Sequence, residues 1–442
     1  MNHRTSPVLN ESLLQDVLAR TLERGATDAE ARAEESRALT VDVRNGALQK
    51  VQNAESTGLQ LTAYVGKRKA TVGTNDFSRR ALSELVERVT SMAKIAPEDA
   101  FCGLAPRELV SRGDDAHLEL FDGREVNPAQ LEGWALELDA AARAVPGITQ
   151  CEGAPVQFGW GRSLHVASNG LSQSTEGSFY SAGVSVIAER DGQKELGSAH
   201  RAARWREDLP AMSDIGIEAG KIAVAQLGAR KLASRKAPVI FDRRVAMNLI
   251  GPLLGAISGA AIARGTSFLK SALGRKVFSD GVGIVDDPFT PRALGSRAVD
   301  PEGVAPRRRR IIDDGVLTTW LLDCPTARQL KLETTGHAGG VSNLTVLPGR
   351  FSQQDLLAQA GSGLLVTALF GPSLNPGSGD WSVGVAGFWF ENGSVAFPVS
   401  EVTVAGRLPD LYPALIVGSD LEIRDAANSP SLLVPQMSIG GR

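Results

Sequence analysis

Cysteine is scarce: Cys102, Cys151 and Cys324 are the only three in 442 residues, and they form no CxxC pair. This excludes a disulfide framework or a zinc knuckle and reads as reduced thiols in a cytosolic protein. No stretch approaches 18 uninterrupted apolar residues, and Met1-Asn2-His3-Arg4-Thr5-Ser6-Pro7 lacks an apolar signal region, so a membrane span and secretion are not expected and a cytoplasmic location is. An excess of charge is missing too. With 47 Lys and Arg against 50 Asp and Glu, the net charge of −3 provides no global attraction to nucleic acid. None of the 5 histidines is followed by Glu, so neither HExxH nor HExxxH occurs. The nucleophile elbow Gly-x-Ser-x-Gly is also absent, and Gly361-Ser362-Gly363 and Gly377-Ser378-Gly379 only approximate it.

What remains is the composition of a folded globular chain, 43% hydrophobic and 22% charged, long enough for two or more cores. Disorder is expected only at the first ten or so residues. The first half carries an internal repeat. Asn45-Gly46 leads into Gly58-Leu59-Gln60-Leu61-Thr62-Ala63-Tyr64-Val65-Gly66-Lys67 and ends at Gly73. Asn169-Gly170 leads into the alternating run from Gly183 to Gly192 and ends at Gly197. Asn-Gly and Asp-Gly favour type I′ turns, so each copy is read as a β-meander.

Helices flank both meanders. Leu13, Leu14, Val17, Leu18 and Leu22 recur at helical spacing and stop at Gly25, and Leu82, Leu85, Val86 and Val89 do so after the capping candidate Ser78. Residues 127–144 and 215–227 supply the second pair. The prediction is an α+β fold, with an N-terminal domain of two duplicated helix/β-meander units over 1–235. A β-rich C-terminal domain over 236–442 follows, with a small-residue helix near 246–263 and an open or barrel-like sheet. Two hairpins are predicted there, 308–312 with 316–322 and 383–390 with 395–399.

Among candidate functional residues, Thr335, Gly336, His337, Gly339 and Gly340 stand out, because glycines packed around one imidazole suit a close backbone approach. His337 reads first as a satisfied structural histidine and second as a binding residue. Asp380 and Trp381, after Gly379, offer a carboxylate and an aromatic surface for a partner or peptide, against the simpler reading of a tight turn. Trp389 alternates within a strand and reads as packing. Arg307 to Arg310 enter a hairpin strand, so their side chains alternate between faces and read as a protected edge, without a catalytic role. Gly251, Gly255, Gly259 and Gly265 permit close helix packing.

The stretch Thr334-Thr335-Gly336-His337-Ala338-Gly339-Gly340 sits within a longer series. Asp314-Gly315-Val316-Leu317 and Ala327-Arg328-Gln329-Leu330 precede it. After it come residues 361–367, Gly379-Asp380, Ala386-Gly387-Phe388-Trp389, Pro398-Val399-Ser400-Glu401, residues 417–422 and Pro435-Gln436-Met437-Ser438-Ile439-Gly440-Gly441. In this order and spacing the series resembles the PmbA/TldE-type branch of the TldD/PmbA family (peptidase family U62, historically modulators of DNA gyrase). The resemblance spans essentially the whole chain and is densest after residue 236.

It implies a connection to metal-dependent peptide hydrolysis. The TldD branch resembles a zinc peptidase whose HExxxH helix supplies two histidine ligands and a glutamate base. Here Leu253, Leu254 and Ser258 stand at those positions, and residues 426–430 contain no cysteine where TldD-type chains place a ligand. Such side chains cannot hold a divalent cation. The resemblance therefore implies a chain with no catalytic residues and no metal, working as the zinc-free subunit of a heterodimer with a TldD-type homologue that carries the zinc. Such pairs cleave unfolded or leader peptides, including microcin precursors and an antitoxin, in an enclosed cavity. Extended peptides can be held by strand addition. A homodimer in the absence of that partner, a homo-oligomeric binding or regulatory protein, and an independent peptidase with an unrecognised site remain the alternatives. No nucleic acid and no membrane are expected as partners.

Overall fold

The computed structural model describes residues 9–441 apart from 112, 114 and 115. The expected N-terminal disorder falls mainly on residues 1–8, outside the described residues, while Asn10 already caps the first helix through its side chain.

The two sequence repeats become two halves of one sheet. Strands β1 (Asp28–Arg44), β2 (Ala47–Val65) and β3 (Arg68–Thr74) form the first meander, and β4 (Ile148–Ala167), β5 (Ser172–Arg190) and β6 (Gln193–Ala203) the second. They join through antiparallel β1 and β4, giving the order β3-β2-β1-β4-β5-β6. Alternation then divides the sheet. Ala29, Ala31, Ala33, Leu59, Leu61 and Val166 pack under α1 (Glu11–Glu23) and α2 (Arg79–Ile95). Leu39, Val41, Val43, Val156 and Phe158 pack under α3 (Pro128–Arg143) and α4 (Met212–Gln226). The intervening residues of β1, such as Glu30, Arg32 and Glu34, project to the opposite, polar face. Ser78 caps α2 as predicted, and Asn127 forms a capping box with Gln130 on α3.

Asn45-Gly46, Asp191-Gly192, Asp314-Gly315 and Asn392-Gly393 all take the paired positive φ of a type I′ turn. Asn169-Gly170 does not. Only Gly170 is at positive φ, while the Asn169 side chain receives the Leu171 N–H and donates to the Ala105 carbonyl.

The second half is β-rich. Strands β7 (Arg235–Phe241), β8 (Ile284–Asp286), β9 (Arg309–Asp313), β10 (Val316–Leu317), β11 (Leu344–Val346), β12 (Gly363–Leu374), β13 (Asp380–Glu391), β14 (Ser394–Arg407), β15 (Ile416–Val417), β16 (Ala427–Asn428) and β17 (Leu432–Gly440) form two sheets. One has the order β10-β9-β8-β11-β16. The other, β14-β13-β12-β7-β17-β15, closes on itself through an added β14–β17 pairing and so is barrel-like. The 383–399 hairpin is present and longer than predicted. The 308–322 hairpin is shorter: its last rung is the Thr318 N–H to the Ile311 carbonyl, and Leu321 then bridges to Ser258 instead.

The predicted 246–263 helix is two helices, α5 (Met247–Ala256) and α6 (Gly259–Ala263). Ser258 is extended between them, and its hydroxyl caps α6 by accepting from the Ala261 N–H at 3.3 Å. Serine as an N-cap ends one helix and starts the next, a local signal that the run of small residues obscured. No helix among the described residues is long and apolar enough to cross a membrane.

Candidate functional site

The break between α5 and α6 is tied to the glycine-rich segment. Ile257 accepts the Leu321 N–H and Gly259 donates to the Leu321 carbonyl, at 3.0 and 2.8 Å. The next residue, Leu322, accepts from the backbone N–H groups of Thr335 and His337 and donates to the Thr335 hydroxyl at 2.7 Å. On the other side, the Phe268 N–H just after α6 donates to Pro376 in the turn preceding Asp380. The helix break is thus tied to the 335–340 segment, while the turn before Asp380 meets the segment that follows α6.

Within that neighbourhood His337 is buried. Its Nε2 lies 3.2 Å from Asp286 Oδ2, and its Nδ1 lies 2.9 Å from the Thr335 hydroxyl. Asp286 also accepts the Ser342 N–H at 2.7 Å. Both imidazole nitrogens are thus engaged within the chain. The turn that follows closes through Gly340 N–H to the His337 carbonyl, with Gly339 and Gly340 at φ of 78° and 90°. Arg297 clamps it by donating to the carbonyls of Ala338 and Gly340. Asp300 accepts the Ala338 N–H, and burial raises its carboxyl above the ordinary range despite three backbone donors. Gly336 passes close to the backbone of Ala305 and Pro306. Thr335 and Gly336 line a cavity shared with Arg307 and Arg309.

Other candidates fall differently. Trp381 does not present an aromatic surface: it is buried in the barrel with its ring 6.0 Å from Phe241. Alternation along β13 turns Trp381, Val383 and Val385 inward and leaves Asp380 exposed. Asp380 accepts from the Ser378 hydroxyl at 2.5 Å. Arg308 pairs with Asp287 at 3.0 Å and Arg310 with Asp313 at 2.7 Å, while Arg309 donates to the Thr335 carbonyl, so the arginine run is dispersed. Asp286, Arg297, Asp300 and Leu322 were not legible as site residues, since they belong to no motif and meet the glycine-rich turn from distant sequence positions.

The positions that would carry HExxxH do not fit zinc. Leu253 is fully buried in the C-terminal core, Leu254 is half-buried, and Ser258 is occupied as a cap. Ser258 also lies outside the helix that carries Leu253 and Leu254. Among the described residues no group of three or more His, Cys, Asp or Glu side chains is placed to hold a metal ion.

Comparison with known proteins accounts for both halves. Models described as PmbA/TldA metallopeptidase domain 1, central domain and C-terminal domain match residues 29–93, 121–227 and 234–441. Metalloprotease PmbA of Escherichia coli O157:H7 is 35% identical over 97% of this chain and 96% of its own length. The Metalloprotease PmbA homolog of Haemophilus influenzae is 34% identical over 89% and 88%. The crystal structure of a putative modulator of DNA gyrase from Bacteroides thetaiotaomicron superposes with a TM-score of 0.91 at 27% identity, covering 98% of this chain and 99% of that one. TldE from Thermococcus kodakarensis shares the fold with a TM-score of 0.86 at 20% identity, covering 97% and 100%. This chain belongs to the PmbA/TldD family of metallopeptidase-related proteins.

Proposed function

We propose that the chain is the zinc-free subunit of a two-subunit peptidase, pairing with a homologue that carries HExxxH and the zinc, and acting on unfolded or leader peptides. The observation that carries this reading is the replacement of ligand chemistry by packing. Leu253 belongs to the core, and the chain breaks before Ser258, so two donors at these positions could not lie on one helix. Zinc would require imidazole, thiolate or carboxylate donors that these positions do not offer.

A role in forming the complex has local support. A Cβ added at Gly255 of α5 would meet nothing within 4 Å, so packing within the chain does not require glycine there. A close-packed partner would. Asp380 adds an exposed carboxylate. In this reading the chain completes the chamber and holds its partner in place, while the chemistry resides in the partner.

The test is peptidase activity on an unstructured protein, with zinc analysis, for each chain alone and for the mixture. Activity and stoichiometric zinc are expected only when the HExxxH homologue is present, and the mixture should exceed either chain. Zinc-dependent cleavage by this chain alone would refute the reading.

A further inference from the structure

A cavity of about 480 Å³ lies on the polar face of the six-stranded sheet, away from α1–α4, under the C-terminal segment 296–301. Its size suits a small molecule or a few peptide residues. The sheet supplies a flat floor in register: Arg32 beside His165, Ser163 beside Thr175, and Gly161 beside Gly177. The two glycines differ. A Cβ on Gly177 would lie 2.7 Å from the Arg204 guanidinium, so that glycine makes room for an arginine. A Cβ on Gly161 would find its nearest atoms at 3.9 Å, so nothing in the chain requires Gly161 to lack a side chain. A strand glycine with no packing reason marks a place of close approach by something else.

Most of the charges around the cavity are paired. Arg32 pairs with Glu34 at 2.5 Å, and Arg162 with Glu176 at 3.2 Å and Glu35 at 3.8 Å. His165 pairs with Glu30 at 3.1 Å. Asp300 is taken up by the N–H groups of Glu302, Val304 and Ala338. Arg204 and Arg297 remain, and neither has a carboxylate within 4.0 Å among the described residues. They donate instead to backbone carbonyls, Arg204 to Ser178 and Leu294, Arg297 to Ala338 and Gly340. Their buried Nε atoms have no partner. Burial lowers the basicity of both, partly offset at Arg297 by Asp286 and Asp300.

We propose that this cavity is a carboxylate-binding site, anchored by the guanidiniums of Arg204 and Arg297 and floored by Gly161. A guanidinium presents a planar fork that matches a carboxylate, and a desolvated one gains most from a charged acceptor. Glu34, Glu35, Glu176 and Asp300 ring the same space and oppose a dianion, which favours a singly charged carboxylate over a phosphate. The terminal carboxylate of an extended peptide is the occupant, and only this choice of source rests on the peptidase-subunit reading.

Calorimetric titration of the full single chain tests the site without the partner, using trialanine, trialanine amide, propionate and inorganic phosphate. Trialanine should bind at least about tenfold more tightly than its amide. Gly161→Leu, which fills the floor without touching either arginine, should abolish binding with the melting temperature unchanged. Arg297→Lys should weaken it about tenfold. Propionate binding as tightly as trialanine would uphold the carboxylate site and assign it to a small acid. Equal binding of acid and amide, tighter binding of phosphate, or unchanged affinity in a folded Gly161→Leu variant would overturn the proposal.

Discussion

His337 and Asp286, 51 residues apart in sequence, meet at 3.2 Å with both side chains 2% exposed. The pair fastens the glycine-rich turn to β8, so its first consequence is mechanical. Replacing His337 by Ala leaves a buried carboxylate with one partner fewer, at a cost of about 2–3 kcal/mol. A lower urea midpoint with an unchanged slope is expected. An unchanged midpoint together with lost peptide binding would mean that the imidazole acts on ligand and not on the fold.

Leu253 lies in the C-terminal core at 0% exposure, so rebuilding the HExxxH pattern should fail. The triple change Leu253→His, Leu254→Glu and Ser258→His buries an imidazole among apolar side chains and removes the cap of α6. Destabilisation by about 3 kcal/mol or more is expected, without stoichiometric zinc. Tight zinc binding by a stably folded triple variant would show that the two helices can merge.

The meanders were legible because their signals are local. Alternation and the Asn45-Gly46 and Asp191-Gly192 turns depend on adjacent residues. That the copies pair through β1 and β4 into one sheet was not legible, since edge pairing depends on contacts more than 100 residues apart. The helix break at Ser258 was hidden by small residues that suit a helix as well as a cap. Trp381 was offered beside Asp380 as an aromatic surface, with a tight turn as the simpler reading, and alternation along β13 turns it inward while Asp380 stays exposed. The glycine-rich turn was recognised as unusual, but its partners Asp286, Arg297 and Asp300 carry no motif.

Asp242 gives a pH-dependent test. Burial alone would raise its carboxyl, but the hydrogen bond and charge of Arg244, 2.7 Å away, with the Arg244 N–H and Gln353, hold it below its usual 3.8. A folded-state value below the unfolded one means stability that is present above pH 3.8 and lost as pH falls through the folded value. Asp242→Asn should therefore be less stable than the natural chain at neutral pH, with the gap narrowing in acid below that point. Urea midpoints at neutral and strongly acidic pH measure it, and a gap that stays constant would exclude Asp242 as the source.

Gly255 separates folding from assembly. It has no positive φ and a Cβ there meets open space, so Gly255→Ala should stabilise the isolated chain by about 0.8–1 kcal/mol through helix propensity alone, whereas Gly251 precedes Pro252, whose ring disfavours a helical residue with a Cβ before it. Gly255→Leu should leave the isolated fold intact for the same steric reason. If α5 meets the partner, the leucine separates two closely packed surfaces, and overpacking of this kind costs about 1–3 kcal/mol, equivalent to roughly a tenfold loss of affinity or more. Association with the HExxxH homologue, measured by titration, should fall while the melting temperature of the single chain does not. Undiminished association of Gly255→Leu would place the partner elsewhere and leave Gly255 without a packing reason in either state.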